Sequence, residues 1–168
     1  MKKQTQEQQI ISMIQRPIPK KKVGIIKLKM VREGTALYGT ERFRNSGDAA
    51  EVVRPIFEYA DREMLVVMSP IAMEIVAVGS LNVCGVDMRE VFKHAILSNA
   101  AKIICFHNHP SGSLEASPED SQITGRIKEA GELLGIELID HIIIGYDHEY
   151  ISFKESGIDP FGEQKGAA

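Results

Sequence analysis

The sequence predicts an α/β or α+β sandwich, in which short strands pack with three helices. Three observations carry that prediction. Apolar residues at helical spacing recur in three segments, and short apolar or alternating runs separate them. Ser, Asp, Pro and Gly stand where such helices would begin and end. Hydrophobic residues make up 43% of the 168, enough for one buried core rather than a disordered or fibrous chain. No internal repeat is visible.

Residues 1–16 are polar and Gln-rich, and Pro17 and Pro19 interrupt any helix before Lys20, Lys21 and Lys22. Residues 1–22 are therefore expected to form a basic, Pro-containing leader. The run VGIIKLKMV (23–31) alternates as a strand does, and residues 34–46 look irregular with a short strand at 36–38. The segment 23–45 is thus an N-terminal strand followed by irregular chain.

A regular domain is expected over 46–157. Ser46 or Asp48 is positioned to cap a first helix, whose apolar positions are Val52, Val53, Ile56, Phe57 and Ala60. EMLVVMS (63–69) reads as a buried strand, and Pro70 turns it toward a second strand at 74–79. Asp87 followed by Glu90 opens a second helix over 88–100, with Val91, Ala95 and either Ile96 or Leu97 facing inward. KIICF (102–106) is a short apolar strand. The third helix takes Ser117 as N-cap and Pro118 as its first residue, then runs to Leu134 before Gly135. IELIDHIII (136–144) and a segment near 150–153 supply the last strands, and 158–168 forms a C-terminal tail.

Charge and cysteine usage narrow the function classes. The net charge is −3, yet residues 1–32 hold nine Lys or Arg against one Glu, leaving eleven basic and 22 acidic residues elsewhere. Such an arm can attract nucleic acid weakly through counterion release, but it has no aromatic residue on which a base could stack; a solvated leader is the competing reading. Cys84 and Cys105 cannot build a disulfide framework, so a reducing cytoplasm is the default compartment. No apolar run approaches the length of a membrane span or a signal peptide.

The chemistry concentrates in His107-Asn108-His109-Pro110-Ser111-Gly112, followed by Ser117-Pro118-Glu119-Asp120. Histidines at i and i+2 on a strand end project from one face. Pro110 and Gly112 turn the chain so that the next helix returns beside the strand and presents Asp120 in its first turn. Two imidazoles and a carboxylate leave one coordination position open, which is the catalytic arrangement for zinc. Zinc so held lowers the pKa of its water to roughly 7. Cys105 shares the histidines' strand, but a buried small hydrophobe is the expected reading rather than a fourth ligand. His94, on a helix, and His148, in a turn, are expected at the surface.

The pattern HxHP(x)6SxxD resembles the JAMM metalloprotease signature of the JAB/MPN domain. The longer runs REVFKHAILSNAAKIICFHNHPSG, AGELLGIELIDHIIIG and YISFKESG resemble the RadC-like branch of that superfamily, over about residues 46–157. The resemblance implies a JAB/MPN-like (cytidine-deaminase-like) three-layer fold, a mixed curved sheet flanked by about three helices. It implies zinc on His107, His109 and Asp120, and an amide or isopeptide bond of a peptide or protein as substrate. It calls for an upstream general base, which Glu63 matches, with Glu74 and Glu58 as rivals. It gives Ser117 an oxyanion-stabilising role beside its capping role. Asp140 and His141 are either partners that orient a ligand or one polar face of a strand. The branch is also associated with DNA repair, which leaves a second expectation: a DNA-associated protein of repair, recombination or mobile elements, acting as nuclease or binder. Residues 1–45 show no helix-hairpin-helix signature, so a short form is expected.

Overall fold

The computed structural model describes residues 43–79 and 86–162. The leader over 1–22, the expected strands at 23–31 and 36–38, and Cys84 lie outside the described residues. The elements are α1 (Ser46–Phe57), β1 (Met64–Ser69), β2 (Ala72–Val78), α2 (Met88–Leu97), β3 (Lys102–Asn108), α3 (Pro118–Leu134), β4 (Glu137–Ile144) and β5 (Tyr150–Ser152).

The strands form one mixed sheet in the order β2-β1-β3-β4-β5. Every neighbouring pair is antiparallel except β3 and β4, which are parallel and joined by α3, the kind of crossover a parallel pair requires. Strand alternation loads both faces of the sheet. Leu65, Val67, Ile103, Cys105 and Leu138 face one way and pack with Val91, Phe92 and Ala95 of α2 and Ile123 and Ile127 of α3. Val66, Met68, Phe106, Ile142 and Ile144 face the other way and pack with Ala49, Ala50, Val52, Val53 and Phe57 of α1. Burying a side chain of Val to Phe size contributes about 1.5–3 kcal/mol, so each layer is held by several such terms. The result is an α/β/α sandwich of three layers, in agreement with the fold class read from the sequence.

The third helix has the predicted limits. Ser117 is its N-cap, Pro118 its first residue, and Gly135 ends it in a left-handed conformation at φ 69°. Within it Gly131 permits close passage of the chain, since a Cβ there would lie 2.3 Å from the Ile136 carbonyl oxygen.

Several expectations need correction. The cap of α1 is Asn45, whose side chain accepts from the Asp48 amide, and neither Ser46 nor Asp48 takes that role. Ser46 instead donates to Asp140 at 2.8 Å. On α2 the buried set is Val91, Phe92, His94 and Ala95, while Ile96 and Leu97 are exposed. His94 is therefore a core residue and not a surface one, because the inward face of α2 is centred between Val91 and Ala95. The second strand starts two residues earlier than expected, at Ala72. The strand β3 also continues past Phe106 to Asn108, which puts His107 inside the sheet between β1 and β4.

Candidate metal centre

His107 is fully buried on β3, and His109 follows it by two residues, so both rings leave the same face of the chain. Asp120 arrives from the first turn of α3, where a capping box fixes it. The Ser117 hydroxyl accepts from the Asp120 amide at 3.1 Å, and the Asp120 carboxylate accepts from the Ser117 amide at 2.8 Å. The loop between is also held. The Tyr146 hydroxyl donates to the Pro110 carbonyl at 2.6 Å, and Gly112, at φ 75°, lies so close to the Tyr146 ring that a Cβ would approach it to 2.2 Å.

These three side chains converge. His107 Nε2 lies 3.1 Å from His109 Nε2 and 3.3 Å from Asp120 Oδ1, and His109 Nε2 lies 3.3 Å from Asp120 Oδ2. The histidines face different oxygens of the carboxylate, and one ligand atom from each of the three residues lies within 4.8 Å of the others, close enough to share a single ion. The chemistry of the donors fits as well. His109 Nδ1 faces the Ser113 carbonyl at 2.8 Å, and a carbonyl only accepts, so the proton sits on Nδ1 and the neutral ring turns a lone pair inward. His107, His109 and Asp120 can thus hold a metal ion, and no fourth His, Cys, Asp or Glu joins the group among the described residues.

Without an ion the same point attracts protons. The Asp120 carboxylate, hydrogen-bonded to His109, raises the pKa of that histidine against the opposing effect of burial, with Glu63 adding a smaller pull. Burial alone would raise Asp120, but the close approach of the His107 and His109 rings and the hydrogen bond from Ser117 outweigh it and hold the carboxyl well below the usual range. Burial pushes the Cys105 thiol far up, so this residue stays a neutral member of the core.

Glu63 immediately precedes β1. The antiparallel ladder pairs Leu65, two residues after Glu63, with His107, and the Glu63 carboxylate is near enough to His109 to help raise its pKa. Glu74 lies elsewhere. It pairs with Lys93 at 3.1 Å and faces His94 on α2. Glu58 is exposed just past the end of α1. His148 is exposed and pairs with Glu51 at 3.1 Å.

Asp140 and His141 behave differently from each other. Asp140 is buried and accepts from four donors: the Ser46 and Ser152 hydroxyls and the His141 and Lys154 amides. It joins the start of α1 to β4 and β5. His141 is wholly buried, stacks on Phe153 with centroids 5.0 Å apart, and places Nε2 2.9 Å from His107 Nδ1. Burial drives its pKa well below the ordinary histidine value, so the ring is neutral.

Two residues of the site escape a reading of the sequence. Thr124 contacts His141 Nδ1 at 2.5 Å and donates to the Asp120 carbonyl at 2.6 Å. Its only sequence signal is a polar residue four positions after Asp120, on the inward face of α3. Asn108 reaches across to the chain around Glu63 through bonds spanning 44 and 46 residues, which local pattern cannot reveal.

Comparison with known proteins agrees with this architecture. The model of the RadC-like JAB domain matches residues 43–158. A UPF0758 protein of Shouchella clausii is 46% identical over 116 residues, covering 66% of this chain and 50% of that protein. A UPF0758 protein of Desulfitobacterium hafniense is 45% identical over 117 residues, covering 66% and 51%. One of Clostridioides difficile is 58% identical over 83 residues, covering 49% and 35%. The chain spans about half the length, or less, of these curated relatives. With the family model matched across most of its length, the chain belongs to the RadC-like JAB domain family.

Proposed function

We propose that this chain is a zinc-dependent hydrolase of the JAMM metallopeptidase type, acting on an amide or isopeptide bond in a peptide or protein. One observation carries the reading: His107 Nε2, His109 Nε2 and the Asp120 carboxylate converge where they could hold one metal ion, with the Glu63 charge acting on His109. Bound there, zinc would supply Lewis acidity, lowering the pKa of a coordinated water to about 7 and polarising the scissile carbonyl.

The chain's own residues would do the rest. Glu63 takes the proton of the attacking water and passes it to the leaving amine. Ser117 stabilises the oxyanion, and its capping bond does not obstruct this. A hydroxyl has two lone pairs and one proton; the cap uses a lone pair, accepting from the Asp120 amide, and leaves the proton available. The capping box already turns the Asp120 carboxylate toward the two histidines.

The test is a search of peptide and isopeptide substrates comparing the wild type with Glu63→Gln, alongside metal analysis. The expected result is about one zinc per chain in both proteins and turnover only in the wild type. Turnover retained by Glu63→Gln would move the base elsewhere. The DNA-associated reading is favoured only by the nine basic residues among the first 32. It expects a salt-sensitive shift of a DNA probe that weakens when Lys20, Lys21 and Lys22 are neutralised.

A further inference from the structure

We propose that His141 and Thr124 form a positioning relay that fixes the tautomer and ring orientation of His107 and ties that ligand to Asp120. This rests on the metal-centre reading above, but it concerns residues outside the three ligands.

The relay can be followed proton by proton. Thr124 Oγ1 lies 2.6 Å from the Asp120 carbonyl, which can only accept, so the threonine proton points there. The hydroxyl is left with lone pairs toward His141 Nδ1, which must then carry a proton to bond it. A neutral imidazole protonated on Nδ1 presents a lone pair on Nε2. That lone pair faces His107 Nδ1 at 2.9 Å, so His107 is protonated on Nδ1. His107 Nε2 is consequently a lone pair, and it is the atom aimed at His109 and Asp120. No other assignment of neutral rings satisfies all three bonds.

The relay closes on itself. It leaves the metal point through His107, crosses from β3 to β4 at His141, passes to α3 at Thr124 and ends on the backbone of Asp120, another of the three ligands. His107, His141 and Thr124 are each 0% exposed, so water cannot substitute for a missing member. The His141 ring is itself clamped, set edge-on to His107 with centroids 4.7 Å apart and stacked on Phe153. A partner that orients a metal-binding histidine in this way is worth about ten- to hundredfold in metal affinity.

The experiment measures zinc affinity by competition with a chromophoric chelator for the full chain and for Thr124→Val, Thr124→Ser and His141→Gln. Thermal unfolding checks that each variant is folded. Nearly isosteric Thr124→Val is expected to weaken zinc binding about ten- to hundredfold, and Thr124→Ser to restore it. In parallel, two-bond ¹H–¹⁵N spectra of the metal-free protein at about pH 8, above the ordinary histidine pKa of about 6.5, report which ring nitrogen carries each proton. His107 and His141 are both expected on Nδ1 in the wild type, with the single tautomer lost in Thr124→Val. Wild-type affinity in Thr124→Val, weaker affinity with unchanged tautomers, or a proton on His107 Nε2 in the wild type overturns the relay. Failure of the wild type to bind zinc counts against the hydrolase reading instead, while the metal-free spectra still decide the relay.

Discussion

Asn108 brackets Glu63: its side-chain amide donates to the Arg62 carbonyl at 3.1 Å, and its oxygen accepts from the Met64 amide at 2.9 Å. The residue between the two histidines thus grips the backbone on either side of the acidic residue across the sheet. Replacing it with Ala leaves one partly buried donor and one acceptor unmatched, at about 1–3 kcal/mol each when no water reaches them. Asn108→Ala is expected to lower stability in chemical denaturation and to depress turnover while zinc content stays at wild-type level. Loss of zinc in this variant would show that Asn108 supports the ligands rather than Glu63.

The three ligands should be unequal to their neighbours in metal analysis. His107→Ala and Asp120→Ala are expected to lose bound zinc, whereas Glu74→Gln and His148→Ala should retain it, since Glu74 pairs with Lys93 and His148 with Glu51. Full metal content in His107→Ala would remove the basis of the site.

Ser117 can be separated into its two roles. Ala at an N-cap costs about 0.5–2 kcal/mol, whereas Gly costs only a few tenths. Ser117→Ala should therefore melt earlier than Ser117→Gly. Both lack the hydroxyl, and both should lose turnover to the same degree if that group faces the oxyanion. Turnover that tracks stability instead would confine Ser117 to the cap.

His94 sets an acid limit on stability. Its ring nitrogens are buried without a hydrogen-bond partner among the described residues. Burial lowers its pKa from 6.5, Glu74 on β2 opposes that shift, and Lys93 on α2 reinforces it. Because the folded pKa lies below the unfolded one, the unfolded chain binds the proton more readily. Stability is then full above about pH 6.5 and falls as pH drops toward the lowered folded value. Urea midpoints should decline over that window in the wild type, and His94→Leu should show a shallower decline.

Much of this was legible in the sequence where the signal is local. Ser117-Pro118 and Gly135 delimit α3 because capping and left-handed termination depend on a few adjacent residues. The His107 and His109 pair was legible because strand alternation fixes which face each ring leaves. What escaped depends on distant chain. Ser46 is not a cap because Asp140, 94 residues away, takes its hydroxyl. His94 reads as a surface residue in the sequence because the apolar spacing of α2 fits more than one inward face until β2 packs on it. Thr124 and Asn108 gain their meaning only from partners on other elements.

The capping box at Ser117 and Asp120 has one more consequence. A carboxylate already anchored to its own helix end does not depend on an ion to be held in place. Metal loss should therefore leave the scaffold standing, unlike small zinc modules in which ion release and unfolding are one event. A chelator should strip this protein to a folded, reloadable form with unchanged far-ultraviolet circular dichroism. The stripped protein should then accept different divalent metals in turn, with zinc-loaded and cobalt-loaded forms melting within a few degrees of each other if the scaffold stands without the ion.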